Sequence, residues 1–218
     1  MGSHSAAALR ATAPRDPNRD VQALSDQHIN QREVGPLQAV ALGPSEAVAL
    51  NYRDPVSDGT IEESPAECSA CGRSRGFVIT STAYGIDVPN DAQFCPWCVA
   101  DGRAHQRYGV TFNEVGADAS QEAAGEVAQC TPGFLTWQDW AWPTHCGDVG
   151  VYLGQPTGDE LRANQEAYDA LLANIRQFDW GPDDDYVRVF VDGLGGSSVA
   201  YVFECPRCGK QLVEWDAD

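Results

Sequence analysis

This sequence is short of positive charge. Its 14 Lys and Arg face 32 Asp and Glu, a formal net charge of −18. Such a field repels phosphates and anionic lipid headgroups, which argues against nucleic-acid and membrane partners and favours a basic protein partner. No uninterrupted apolar run approaches the roughly 18 residues of a membrane span. The first ten residues lack the apolar stretch of a secretory signal, so the chain is expected to be cytoplasmic, with its thiols reduced. Familiar catalytic signatures are missing as well. There is no His-x-Glu of the zinc deaminases and no phosphate-loop Lys after Asp192-Gly-Leu-Gly-Gly196.

What is present is cysteine in pairs. Cys68-Ser-Ala-Cys71-Gly72 and Cys95-Pro96-Trp97-Cys98 have the separation of a four-cysteine zinc site. Gly72 permits the left-handed backbone of a metal-binding knuckle, and Pro96 suits the first position of a helix continuing to Tyr108. Phe77–Tyr84 between the pairs reads as a strand, so residues 68–108 are expected to form a treble-clef module. A redox dithiol and disulfides are the competing readings of these cysteines.

A second metal site is expected around Cys205 and Cys208, whose Cys-Pro-Arg-Cys-Gly repeats the first knuckle. The remaining candidate ligands are Cys146, His145, Cys130 and His105. Cys146 supplies a third thiolate, and His145 or Cys130 completes a tetrahedron. Adjacent extended residues point apart, so His145 is also readable as a support residue or as serving the first site. The bland alternative is a set of buried thiols without metal. A zinc-dependent, hydrolase-like enzyme using His145-Cys146-Gly147-Asp148 is the rival functional reading.

An apolar fraction of 43%, with six Trp, seven Tyr and seven Phe, supports a real core. Residues 1–46 read as a poorly ordered polar tail and 47–218 as the zinc-binding domain. Helices are expected from Asp118 to about Gln129 and from Gly133 to Trp142, where Trp137, Trp140 and Trp142 cluster as core or as a ligand surface. A long helix is expected from Thr157 to Gln177, opened by a Thr157/Glu160 capping box. Three strands are expected within 186–215. The fold class is therefore α+β: small antiparallel sheets and a long helix, stapled by treble-clef or zinc-ribbon-like sites. Asp183, Asp184 and Asp185 read as a solvated loop and as first candidates for partner contact.

The motifs Tyr52…Asp54-Pro55, Cys68-x-x-Cys71-Gly72-x-x-Arg75-Gly76, Cys95-Pro96-Trp97-Cys98-x-Ala100-Asp101-Gly102, Thr131-Pro132-Gly133-Phe134…Trp137-Gln138, Trp142-x-Thr144-His145-Cys146-Gly147-Asp148 and Cys205-x-x-Cys208-Gly209-Lys210 resemble the CbrC proteins of bacteria. The resemblance covers roughly residues 48–218. It implies linkage to tolerance of a nuclease colicin, without an established enzymatic activity. An acidic chain fits an immunity protein that caps a basic toxin domain by charge complementarity.

Overall fold

A computed structural model describes residues 40–41, 47–48, 52, 59–134, 136–138, 141–178 and 183–217, all within the unit Val34–Asp218. The expected tail lies outside the described residues, apart from Val40–Ala41. The strands are β1 (Val40–Ala41), β2 (Ala47–Val48), β3 (Ile61–Glu63), β4 (Phe77–Ile79), β5 (Thr144–His145), β6 (Asp148–Val149), β7 (Val151–Gly154), β8 (Ser198–Glu204) and β9 (Gln211–Ala217). The helices are α1 (Pro96–Ala100), α2 (Arg103–Tyr108), α3 (Gln121–Cys130), α4 (Gly158–Ala163), α5 (Gln165–Ile175) and α6 (Asp184–Asp192). The named strands pair antiparallel: β1 with β2, β3 with β4, β5 with β6, and a three-stranded sheet in the order β7-β8-β9.

The central strand β8 is buried on both faces because its sequence, Ser-Val-Ala-Tyr-Val-Phe-Glu, is apolar at successive positions. Val199, Tyr201 and Phe203 join a cluster with Val127, Trp142 and Tyr152. Ala200 and Val202 join the opposite cluster with Leu161, Leu171, Ile175, Val187 and Phe190 from α4, α5 and α6. Phe134 seals the aromatic side, stacked on Tyr152 at 4.1 Å between centroids and edge-on to Trp142 at 5.4 Å. The buried Asp216 carboxylate accepts from the Tyr201 hydroxyl at 2.9 Å and the Trp137 backbone N–H at 3.1 Å. A third, smaller core of Ile79, Phe94, Val99, Ala104, Val110 and Phe112 lies under the first cysteine pairs.

Several expected elements take a different form. No single long helix follows Thr157. The capping box is present, with Glu160 Oε2 accepting from Thr157 N–H at 2.8 Å, but α4 stops at Ala163. Asn164 leaves helical geometry and its side-chain oxygen accepts from Ala167 N–H at 3.2 Å, capping α5 instead. The helix through 96–108 is likewise split at Gly102, which takes φ +74°. Residues 186–191, expected as a strand, form most of α6. Val187, Phe190 and Val191 are buried at helical spacing, and Asp183 caps the helix by accepting from Tyr186 N–H at 2.8 Å. The three aspartates therefore cap and open a helix rather than end a loop. The C-terminal sheet draws its third strand from β7.

Ser120, not Asp118, caps α3, accepting from Ala123 N–H at 3.2 Å. The described residues between Gly133 and Trp142 carry no helix, and Trp140 lies outside them. Trp142 is buried, whereas Trp137 is half exposed. The treble-clef expectation also needs correction. The knuckle at Cys68–Gly72 sits inside the β3–β4 connection, not before a hairpin, and the helix after it is five residues long.

Candidate metal centres

The two Cys-x-x-Cys-Gly segments fold alike. Cys68 N–H donates to Arg73 O at 3.0 Å and Gly72 N–H to Cys68 O at 2.7 Å. Cys205 N–H donates to Lys210 O at 2.8 Å and Gly209 N–H to Cys205 O at 2.9 Å. The glycines take φ +66° and +75°. A Cβ at either would meet open space, so backbone conformation alone calls for glycine there. Each knuckle turns its two sulfurs towards one point.

At the first centre the partner pair comes from the start of α1, where Cys95 is the N-cap and Cys98 lies in the first turn. The four sulfurs of Cys68, Cys71, Cys95 and Cys98 lie within 4.8 Å of one another. Cys68, Cys95 and Cys98 are buried and Cys71 is half-buried. The Cys95 thiol and several backbone N–H groups donate to Cys68, which brings its thiol down to about 4. Among those donors is Cys95 N–H at 3.3 Å. Cys95 is raised because Cys68 holds its proton, and burial pushes Cys98 up to about 12. Four thiols crowded this closely share protons, which is the electrostatic problem a divalent cation removes.

The second centre joins the C-terminal knuckle to the β5–β6 hairpin. His145, Cys146, Cys205 and Cys208 place one donor atom each within 4.8 Å of the others. His145 Nδ1 lies 3.2 Å from Cys146 Sγ and 3.4 Å from Cys208 Sγ, and the last two sulfurs are 3.8 Å apart. The adjacent pair converges because the chain is not extended there. Cys146 and Gly147 form the two-residue turn of the hairpin, with φ +55° and +72°. Positive φ at both central positions swings Cys146 back over the strand that carries His145. A left-handed cysteine is uncommon, and this one brings its sulfur beside His145 Nδ1 and Cys208 Sγ. Cys208 is lowered, chiefly by the Lys210 backbone N–H, while Cys146 is raised because its thiol donates to Cys208.

Asp148 supports this centre and is not one of its donors. Its Oδ1 accepts from Tyr52 OH at 3.1 Å and from Val149 N–H at 2.9 Å, and its Oδ2 is ion-paired with Arg207, whose Nε lies 3.0 Å away. Arg207 lies between the two knuckle cysteines, so this ion pair ties the knuckle to the hairpin. Burial, and then the Asp148 charge, raise the Tyr52 phenol well above its usual value, keeping it a donor. Arg207 escaped the sequence reading because its partner is distant in the chain. The Cys-Gly pair flanked by strand-like residues was the available signal for the turn. Cys130 and His105 belong to neither centre. Cys130 ends α3, its thiol raised by burial, and His105 Nδ1 lies 2.8 Å from Val110 O.

The chain thus carries two clusters of four Cys or His donors, each tied together by local backbone geometry and each able to hold a metal ion. The chain belongs to the uncharacterised protein family UPF0167, which it matches over residues 50–217. A UPF0167 protein of Mycobacterium bovis is 34% identical over 178 residues, covering 79% of this chain and 95% of that one. One from Pseudomonas aeruginosa is 31% identical over 171 residues, covering 76% and 93%. A glutaredoxin of Pseudomonas aeruginosa is 32% identical over 82 residues, 37% of this chain and 87% of that protein. No solved structure matches. Membership in UPF0167 replaces the CbrC resemblance, and the colicin-tolerance and immunity expectations that rested on it fall with it. No helix among the described residues is long and apolar enough to cross a membrane.

Proposed function

We propose that this chain is a non-enzymatic protein that holds two structural zinc ions and acts by binding a basic protein partner. The observation that carries the reading is the closure of both donor sets. Four donors at each centre fill the tetrahedral shell of zinc, whereas hydrolytic zinc keeps a position open for water. Zn–S bonds of about 2.3 Å give a tetrahedral S–S edge of about 3.8 Å. The Cys146–Cys208 separation is 3.8 Å. A set of four thiolates, or of three thiolates and an imidazole, selects zinc over hard cations, which prefer oxygen. A cytoplasmic setting would keep all eight cysteines reduced and available to metal.

Asp148 argues against the hydrolase reading. Its Oδ1 accepts from Tyr52 and Val149 and its charge is paired with Arg207, which leaves it poorly placed to take a proton from water. Asp148→Asn should keep the Tyr52 and Val149 contacts and lose the charge that holds Arg207. The expected result is a fall of roughly tenfold in zinc affinity at the second centre only, read by chelator competition. A redox dithiol at Cys95 and Cys98 fits poorly. An attacking thiol is an exposed thiolate, whereas both of these are buried and raised.

The partner's sign follows from the charge of −18. A groove of about 540 Å³ between α5 and β9 carries Glu166, Asp169 and Glu214 against Lys210. Asp183 caps α6, while the exposed Asp184 and Asp185 pair only loosely, at 3.5 Å, with Arg176 and Arg188, and a basic partner would compete for them. Zinc-loaded protein should capture a basic protein from its own host. Rebuilt from purified components, that complex should associate more slowly as salt rises, and more slowly again with Asp184→Lys and Asp185→Lys combined. A folded, fully metallated Asp148→Asn protein that binds the partner but has lost biological activity would replace this reading with the enzyme.

A further inference from the structure

The two centres differ in one respect that ligand identity does not explain. At the first, three of the cysteines are at most 1% exposed and the fourth is half-buried. At the second, Cys205 is buried while Cys146 and Cys208 are both open to solvent. These two exposed sulfurs are also the pair 3.8 Å apart. We propose that Cys146 and Cys208 form a peroxide-sensitive pair, which closes to a disulfide and releases the metal of the second centre while the first keeps its own. The inference rests on the two-zinc reading above.

The chemistry balances with a hydroperoxide as the two-electron oxidant. One exposed thiolate attacks a peroxide oxygen, breaking the O–O bond to give a sulfenic acid and a hydroxide. The second thiolate attacks the sulfenic sulfur, forms the S–S bond and expels the second hydroxide. Two thiolates and one hydrogen peroxide thus give one disulfide and two hydroxides, which two protons convert to water. With two of its four donors gone, the site falls to Cys205 and His145, too few to retain zinc against solvent.

The fold favours this pair for two further reasons. Cys146 is the only described non-glycine residue with positive φ, so its turn is held in an unfavourable conformation that a change in its bonding is free to relax. A Cys146–Cys208 bond would also link the same hairpin to the same knuckle that the metal links, so the oxidised protein keeps that cross-link. The first centre has no such route. Its knuckle and α1 pack around Cys68, Cys95 and Cys98 and exclude the oxidant.

The test uses the intact, zinc-loaded protein with hydrogen peroxide, a chromophoric zinc chelator and peptide mapping. Starting from two zinc ions per chain, one should be released, with a mass loss of 2 Da and a cross-linked peptide pair containing Cys146 and Cys208. Dithiothreitol with added zinc should restore the second ion. Release of neither ion, release of both together, or a disulfide mapped among Cys68, Cys71, Cys95 and Cys98 overturns the proposal. Cys208→Ser should abolish the cross-link. If the variant loads only one zinc, peroxide should then release none. A starting content below two per chain would instead overturn the two-zinc reading, and this inference with it.

Discussion

Cys98→Ser should cost one zinc ion per chain and unfold residues 68–108 while the β7-β8-β9 sheet survives. Cys98 is fully buried, so a serine hydroxyl would meet neither a good metal bond nor water. The local core beneath it is only Ile79, Phe94, Val99, Ala104, Val110 and Phe112. So few buried side chains do not fix a module this size without a staple. Structural zinc in small modules contributes apparent free energies of about 10–16 kcal/mol. Loss of one ligand should therefore remove most of the local stability. Hydrogen exchange should show protection lost in 68–108 and kept in 198–217. A variant that retains two zinc ions and the thermal midpoint of the parent would remove this centre from the account.

Trp142→Ala should destabilise the protein by about 3–5 kcal/mol, the range for emptying a large aromatic site. Trp142 is 2% exposed and touches Phe134 and Phe203 edge-on, at 5.4 and 5.6 Å between centroids. Its indole N–H donates to Gly150 O at 2.7 Å. Gly150 follows the β5–β6 hairpin and its own N–H donates to Pro143 O at 2.9 Å, so the indole anchors the base of the hairpin that presents His145 and Cys146. The variant should therefore lose both stability and zinc affinity at the second centre. Urea denaturation and chelator competition read the two effects separately. A change under about 1 kcal/mol, well below the range for such a truncation, or a stability loss with second-centre affinity intact, would show that the indole does not support the hairpin.

What the sequence determined by itself is what short-range chemistry determines. Cys-x-x-Cys-Gly specifies a knuckle because the metal-binding turn needs its glycine at positive φ, and both knuckles obey it. The Thr157/Glu160 capping box closes over four residues, so it too was legible. Tertiary structure decided the rest. Tyr186–Val191 alternates like a strand, but its Val187, Phe190 and Val191 also sit at helical spacing. The cap at Asp183 and the face offered by α5 and the sheet select the helix. The run after Thr157 carries a continuous apolar stripe, yet Asn164 ends one helix and caps the next. Which donors complete Cys205 and Cys208 depends on a hairpin some sixty residues earlier in the chain, brought alongside by β7 and β8. His145 joins Cys146 there only because a left-handed turn reverses the usual divergence of neighbours. That geometry exists once the sheet has placed the hairpin, and no local pattern encodes the distance.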